Sequence, residues 1–136
     1  MEPPLPVLLV EDDKVDQEVI IRCLKPHAQH FTLTVAPDAR QAIMLLSSTL
    51  IHFDIIVLDL NLPGLEGLEF LHMLDQQPNF KESIVIILTG SGSDQDRSQA
   101  NNYCVAGYLL KEQLDSHCTQ LINLLEAYRY GRQGRL

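Results

Sequence analysis

The chain has 136 residues, 46% of them hydrophobic, which is enough for one compact core and too short for a second. Its formal net charge of −8 argues against a direct nucleic-acid role for this segment, because phosphate backbones are held by clustered Lys and Arg. The longest apolar runs fall far short of the roughly 20 residues of a membrane span; the opening MEPPLPVLLVEDD has no basic stretch before its apolar run, so a soluble cytoplasmic protein is expected.

In chain order the hydrophobic period switches between short continuous runs and helical stripes. Val7-Leu8-Leu9-Val10 is apolar throughout, as in a strand buried on both faces of a parallel sheet. Val15, Val19 and Cys23 then recur every four residues and predict a helix. Phe31-Thr32-Leu33-Thr34-Val35 alternates, as a strand near a sheet edge does. Asp38 followed by Gln41 resembles a capping box ahead of a second helical stripe, Ala39, Ala42, Ile43 and Leu46.

Ile55-Ile56-Val57-Leu58 predicts a third strand, Gly67, Phe70, Leu71 and Leu74 a third helix, and Ile84-Val85-Ile86-Ile87-Leu88 a fourth strand. Ser93 with Asp96 resembles a second capping box, opening a helix almost wholly polar apart from Ala100 and therefore weakly held. Tyr108-Leu109-Leu110 reads as a short fifth strand. The last stripe is Leu114, Cys118, Leu121, Ile122 and Leu125, ending near Tyr130-Gly131.

Alternating strands and helices with right-handed crossovers give a doubly wound α/β sandwich of five βα units, for which a five-stranded parallel sheet in the flavodoxin-like order 2-1-3-4-5 is expected. Ligands in such sheets sit beyond the carboxyl ends of the strands, between strands 1 and 3. The polar residues at those ends are notable: Glu11-Asp12-Asp13 after the first strand, Asp59 after the third, Thr89-Gly90-Ser91 after the fourth and Lys111 after the fifth. Carboxylates gathered there repel unless a cation compensates, and a hard, oxygen-seeking ion such as Mg²⁺ suits that role. Phosphoryl transfer to a carboxylate would use Asp59 as nucleophile, Asp12 with Glu11 behind it for the metal, Lys111 and Thr89 for the phosphoryl oxygens, and Gly90 to leave space. Read singly, Glu11, Asp13, Thr89 and Lys111 are equally compatible with helix caps and solvated loops.

The segments VLLVEDD, DIIVLDLNLPGLEG, VIILTGSG and GYLLK resemble, in order and spacing, the four signature blocks of response-regulator receiver domains, over roughly residues 6 to 128. The resemblance implies a two-component signalling domain, most often bacterial, that accepts a phosphoryl group on Asp59 from a histidine kinase or phosphotransfer protein. Metal ligation falls to Glu11, Asp12, Asp59 and the backbone carbonyl of Asn61, with Mg²⁺ as the ion and Mn²⁺ as a substitute. Thr89 matches the switch hydroxyl, Tyr108 the switch aromatic and Lys111 the phosphate-pairing lysine. Leu62-Pro63 and Gly67 match the turn into the third helix, where glycine permits close packing. Asp13 matches no ligand and reads as the cap of the first helix.

Such a domain assists its own phosphorylation and dephosphorylation and is not an enzyme with a separate substrate. The fourth helix, fifth strand and fifth helix would present a changing face to a downstream protein, an output domain or a second copy in a phosphorylation-dependent homodimer. The sequence departs from the family pattern at Lys111-Glu112-Gln113, where proline usually follows the lysine. A cis bond is not expected there, because without proline it costs about 2.5–4 kcal/mol, and a rebuilt loop is. A second departure is Tyr103-Cys104, where a small pair is common.

Two other readings stay open: a receiver fold that binds a partner without phosphorylation, and an aspartyl phosphatase suggested by Asp59-Leu60-Asn61 but lacking a cap domain. Cys23, Cys104 and Cys118 have no CxxC spacing and are expected to be buried thiols, and the five histidines are read as having no metal-ligand spacing. Residues 129–136 read as a basic tail or the start of a linker.

Overall fold

The computed structural model describes residues 3–48, 50–61, 67–76, 83–90, 94–103 and 105–133. Five strands, β1 (Leu5–Val10), β2 (Phe31–Ala36), β3 (Ile55–Leu58), β4 (Ile84–Thr89) and β5 (Val105–Leu110), form one parallel sheet in the order 2-1-3-4-5. Five helices alternate with them: α1 (Lys14–Leu24), α2 (Ala39–Leu46), α3 (Gly67–Asp75), α4 (Asp94–Ala100) and α5 (Thr119–Gln133).

Side chains alternate across the strands, so each continuous apolar run serves two cores. Leu8, Val10, Ile56, Leu58 and Ile87 pack with Ala39, Ala42, Phe70, Leu71 and Ala100 from α2, α3 and α4. Val7, Leu9, Ile55, Val57, Ile86 and Leu88 face Ile20, Cys23, Leu24, Leu121, Ile122 and Leu125 on the α1 and α5 side. The buried face of α1 is thus Ile20, Cys23 and Leu24; Val15, expected on it, is 71% exposed because it lies in the first turn, beyond the cover of the sheet.

Local capping follows the sequence where it can be followed. Asp13 accepts hydrogen bonds from the Val15 and Asp16 amides at 2.8 and 3.0 Å, and Asp38 accepts one from the Gln41 amide at 2.8 Å. Ser93, with its capping box, and Leu62-Pro63, Ser91 and Cys104 lie outside the described residues. Gly67 is required by close approach: its amide donates to the Leu60 carbonyl at 2.8 Å, and a Cβ there would stand 2.3 Å from the Leu60 Cα.

The connection to α5 differs from the expected one. Lys111–Gln113 form a 3₁₀ turn and no described peptide bond is cis, so the missing proline is met by rebuilding the loop. Leu114 and Cys118 precede the helix, and Cys118 adopts a left-handed φ of 51°. Asp115 caps the start of α5, accepting from the Thr119 amide at 2.8 Å and its hydroxyl at 2.6 Å. Helix α5 then passes through Gly131 to Gln133, with Arg129 bonded to Glu126 and Arg132 to the buried Asp54 at the foot of β3. The Arg132–Asp54 pair ties the last turn of α5 to β3, while residues 134–136 lie outside the described residues.

The cysteines also depart from expectation. Cys23 on α1 and Cys118 before α5 are buried, as predicted, but they are joined in a disulfide, 95 residues apart in sequence. Spacing could not show this pairing, because it depends on α1 and α5 sharing one face of the sheet.

Candidate functional site at the carboxyl rim

Parallel pairing brings the ends of β1 and β3 to one level. Val10 is in register with Leu58 and Leu58 with Ile87, so Glu11 and Asp59 emerge side by side, and β4 runs two residues past Ile87 to Thr89. Two further backbone bonds extend this order past the strands, from the Glu11 amide to the Ala36 carbonyl and from the Asp59 amide to the Val10 carbonyl, both 3.1 Å.

Asp59 is 3% exposed, and both of its oxygens are engaged. Oδ1 accepts from the Thr89 hydroxyl at 2.8 Å and from the Asn61 amide at 3.0 Å; Oδ2 meets Lys111 Nζ at 2.7 Å. The same ammonium lies 2.6 Å from Glu11 Oε1 and 2.8 Å from Asp16 Oδ2. Lys111 therefore reaches the rim from the rebuilt loop. Asp16 is a site residue that sequence reading missed; it falls outside the signature blocks, and only the packing of α1 against that loop brings it in.

The electrostatics favour a cation. Burial pushes the Glu11 carboxyl up to about 7, with repulsion from Asp59 adding to the rise, against hydrogen bonds from Lys111 and the Asp13 amide that lower it. Burial alone would lower the Lys111 ammonium, but hydrogen bonds to Asp16, Asp59 and Glu11 outweigh it and raise the pKa. Oxygens of Glu11, Asp12 and Asp59 lie within 4.8 Å of one another, with Asp12 exposed to solvent beside two buried carboxylates. An all-carboxylate donor set with one open side fits a hard divalent ion that keeps water ligands.

The other expected residues fall around this centre. Asn61 is exposed next to Asp59, and its amide already contacts the carboxylate. Among the described residues, a Cβ at Gly90 would meet nothing within 4 Å. The Thr89 hydroxyl, matched above to the switch hydroxyl, donates to Asp59 Oδ1. Tyr108 is half-buried against the core on the α4 side, with the Arg97 guanidinium 5.2 Å from its ring centre. A cleft of about 320 Å³ opens between α1 and the loop before α5, lined in part by Glu11, Asp16, Lys111 and Leu114.

Among the described residues no helix is long and apolar enough to cross a membrane. Residues 7–123 match the family model of the response regulator receiver domain. The chain is 29% identical to response regulator Rcp1 of Synechocystis over 131 residues, covering 93% of this chain and 89% of that one. It is 31% identical to the two-component response regulator PhoP of Pseudomonas aeruginosa over 111 residues, 78% of this chain but only 47% of PhoP. The Mn²⁺-bound structure of Rcp1 superposes with a TM-score of 0.75 at 29% identity, covering 93% of this chain and 90% of that one. By sequence pattern, strand order and this match, the chain belongs to the response regulator receiver domain family.

Proposed function

We propose that this receiver domain accepts a phosphoryl group on Asp59 in a Mg²⁺-dependent reaction, in the cytoplasm, from a phosphohistidine of a histidine kinase or phosphotransfer protein. The observation that carries the reading is the convergence of Lys111 Nζ and the Thr89 hydroxyl, at 2.7 and 2.8 Å, on opposite oxygens of one buried carboxylate beside Glu11 and Asp12.

An Asp59 oxygen attacks phosphorus; the P–O bond forms as the donor's P–N bond breaks and the imidazole leaves with the electron pair. Lys111 and Thr89, already at the carboxylate, transfer their contacts to phosphoryl oxygens, holding charge that develops outside Asp59. Asp12, Asp59 and the Asn61 carbonyl would hold the ion, with Glu11 behind them. When bound, Mg²⁺, or Mn²⁺ in its place, supplies positive charge that neutralises the equatorial oxygens.

Signalling follows from the same contacts. Thr89 is fixed to Asp59, so a change at that carboxylate is felt at the end of β4 and, across the sheet, at Tyr108, which is level with Ile87. The α4–β5–α5 face is the surface through which a downstream protein, an output domain or a second copy reads the state.

The test is intact-protein mass spectrometry after incubation with acetyl phosphate and Mg²⁺, with EDTA and Asp59→Asn controls. A single metal-dependent, base-labile adduct on the wild type alone supports the reading. A folded protein that binds Mg²⁺ and takes no adduct would refute it and favour a receiver that binds its partner without phosphorylation.

A further inference from the structure

At the opposite end of the sheet from Asp59, α1 runs into a 3₁₀ turn, Lys25–His27, and the His30 amide closes the next turn on the His27 carbonyl at 2.9 Å. Three residues apart, both histidines therefore sit on one compact corner, against which the middle of α5 delivers Glu126. Ligand atoms of His27, His30 and Glu126 lie within 4.8 Å of one another, and all three residues are half-buried.

We propose that His27, His30 and Glu126 bind one divalent transition-metal ion of the Zn²⁺ type. Two imidazoles with one carboxylate suit borderline ions such as Zn²⁺, whereas the all-oxygen set at Asp59 suits Mg²⁺, so the two sites select different ions. The carboxylate is already oriented by an outer partner: Glu126 Oε2 accepts from Arg129 Nε at 3.1 Å and from its Nη2 at 2.8 Å, which turns Oε1 to His30 Nδ1 at 2.7 Å. An ion pair explains His30 and Glu126 but gives no reason for His27 to join them. The Arg129 charge works against cation binding, so the affinity is below that of the same three ligands without it. An ion held there clasps the turn before β2 to the middle of α5, and three protein ligands leave a coordination position for water.

The site is tested on the full chain, purified without a histidine tag and stripped of metal, by calorimetric titration with ZnCl₂ in saturating Mg²⁺. The histidine ring nitrogens are followed by NMR in the same samples. One Zn²⁺ per chain is expected, with ring shifts at His27 and His30 and none at His52, His72 or His117. Loss of an outer partner typically weakens metal binding about 10–100-fold, so loss of a direct ligand in His27→Gln or Glu126→Gln should weaken it at least tenfold. Retained Mg²⁺-dependent phosphorylation shows that these variants are folded. Zn²⁺ affinity unchanged in both folded variants, or no ring shift at His27 and His30, overturns the proposal and leaves a His30–Glu126 ion pair alone.

Discussion

The Lys111 ammonium ties Asp16 in the first turn of α1 to Asp59 at the end of β3, lying 2.8 Å from one carboxylate and 2.7 Å from the other. One cation thus serves Glu11, Asp16 and Asp59, and the three partners are not equivalent. Glu11 and Asp59 are buried, whereas the Asp16 side chain is 37% exposed and solvated.

Lys111→Ala should therefore cost much more than Asp16→Asn. Removing the lysine strands two buried carboxylates, a loss of about 3 kcal/mol in metal-free buffer. Losing a partly solvated pairing costs below about 1 kcal/mol. Urea unfolding with and without Mg²⁺ checks this, and the ion should stabilise Lys111→Ala more than wild type, because it replaces the missing charge. Equal Mg²⁺ effects on the two proteins would mean that Lys111 does not balance this site.

Gly67→Ala should destabilise the fold by at least about 1–3 kcal/mol, because the added methyl meets backbone that cannot rotate away. Leu60 directly follows Asp59, so the variant should also slow labelling by acetyl phosphate. A denaturation midpoint equal to wild type would show that the α3 turn relaxes freely.

The Cys23–Cys118 bond closes a loop of 95 residues, for which a stabilisation of about 2–4 kcal/mol is typical. Thiol titration of the oxidised protein in denaturant should find one reactive cysteine, Cys104, and three after reduction. Reduction should also lower the melting temperature. Three thiols without reductant would place both sulfurs in the reduced state.

Hydrogen bonds from the Thr119 hydroxyl and amide hold the Asp115 carboxyl below its ordinary pKa of 3.8. Its folded value is depressed, so its contribution to stability is present above pH 3.8 and is lost as pH falls through the lower folded value. Asp115→Ala should be less stable than wild type at pH 7, and the difference should shrink toward pH 3. A difference that does not change with pH would mean that the charged form of Asp115 is not what caps α5.

The sequence alone determined the alternation of strands and helices and the polar residues, Glu11, Asp12, Asp59, Thr89 and Lys111, that stand at the strand ends; the order 2-1-3-4-5 was one choice among alternatives until the tertiary structure decided it. The alternation and the strand-end residues follow from local periodicity and from residues placed directly after strands, all of which are contiguous along the chain. Tertiary structure alone decided which carboxylates Lys111 binds, that Cys23 meets Cys118, that α5 continues to Gln133, and that Glu126 completes a group with His27 and His30. Each of these joins residues about 80 or more positions apart, or a loop rebuilt without its usual proline, through the packing of α1, the sheet and α5. The distance between such groups is set by helix placement, and local patterns carry no record of it.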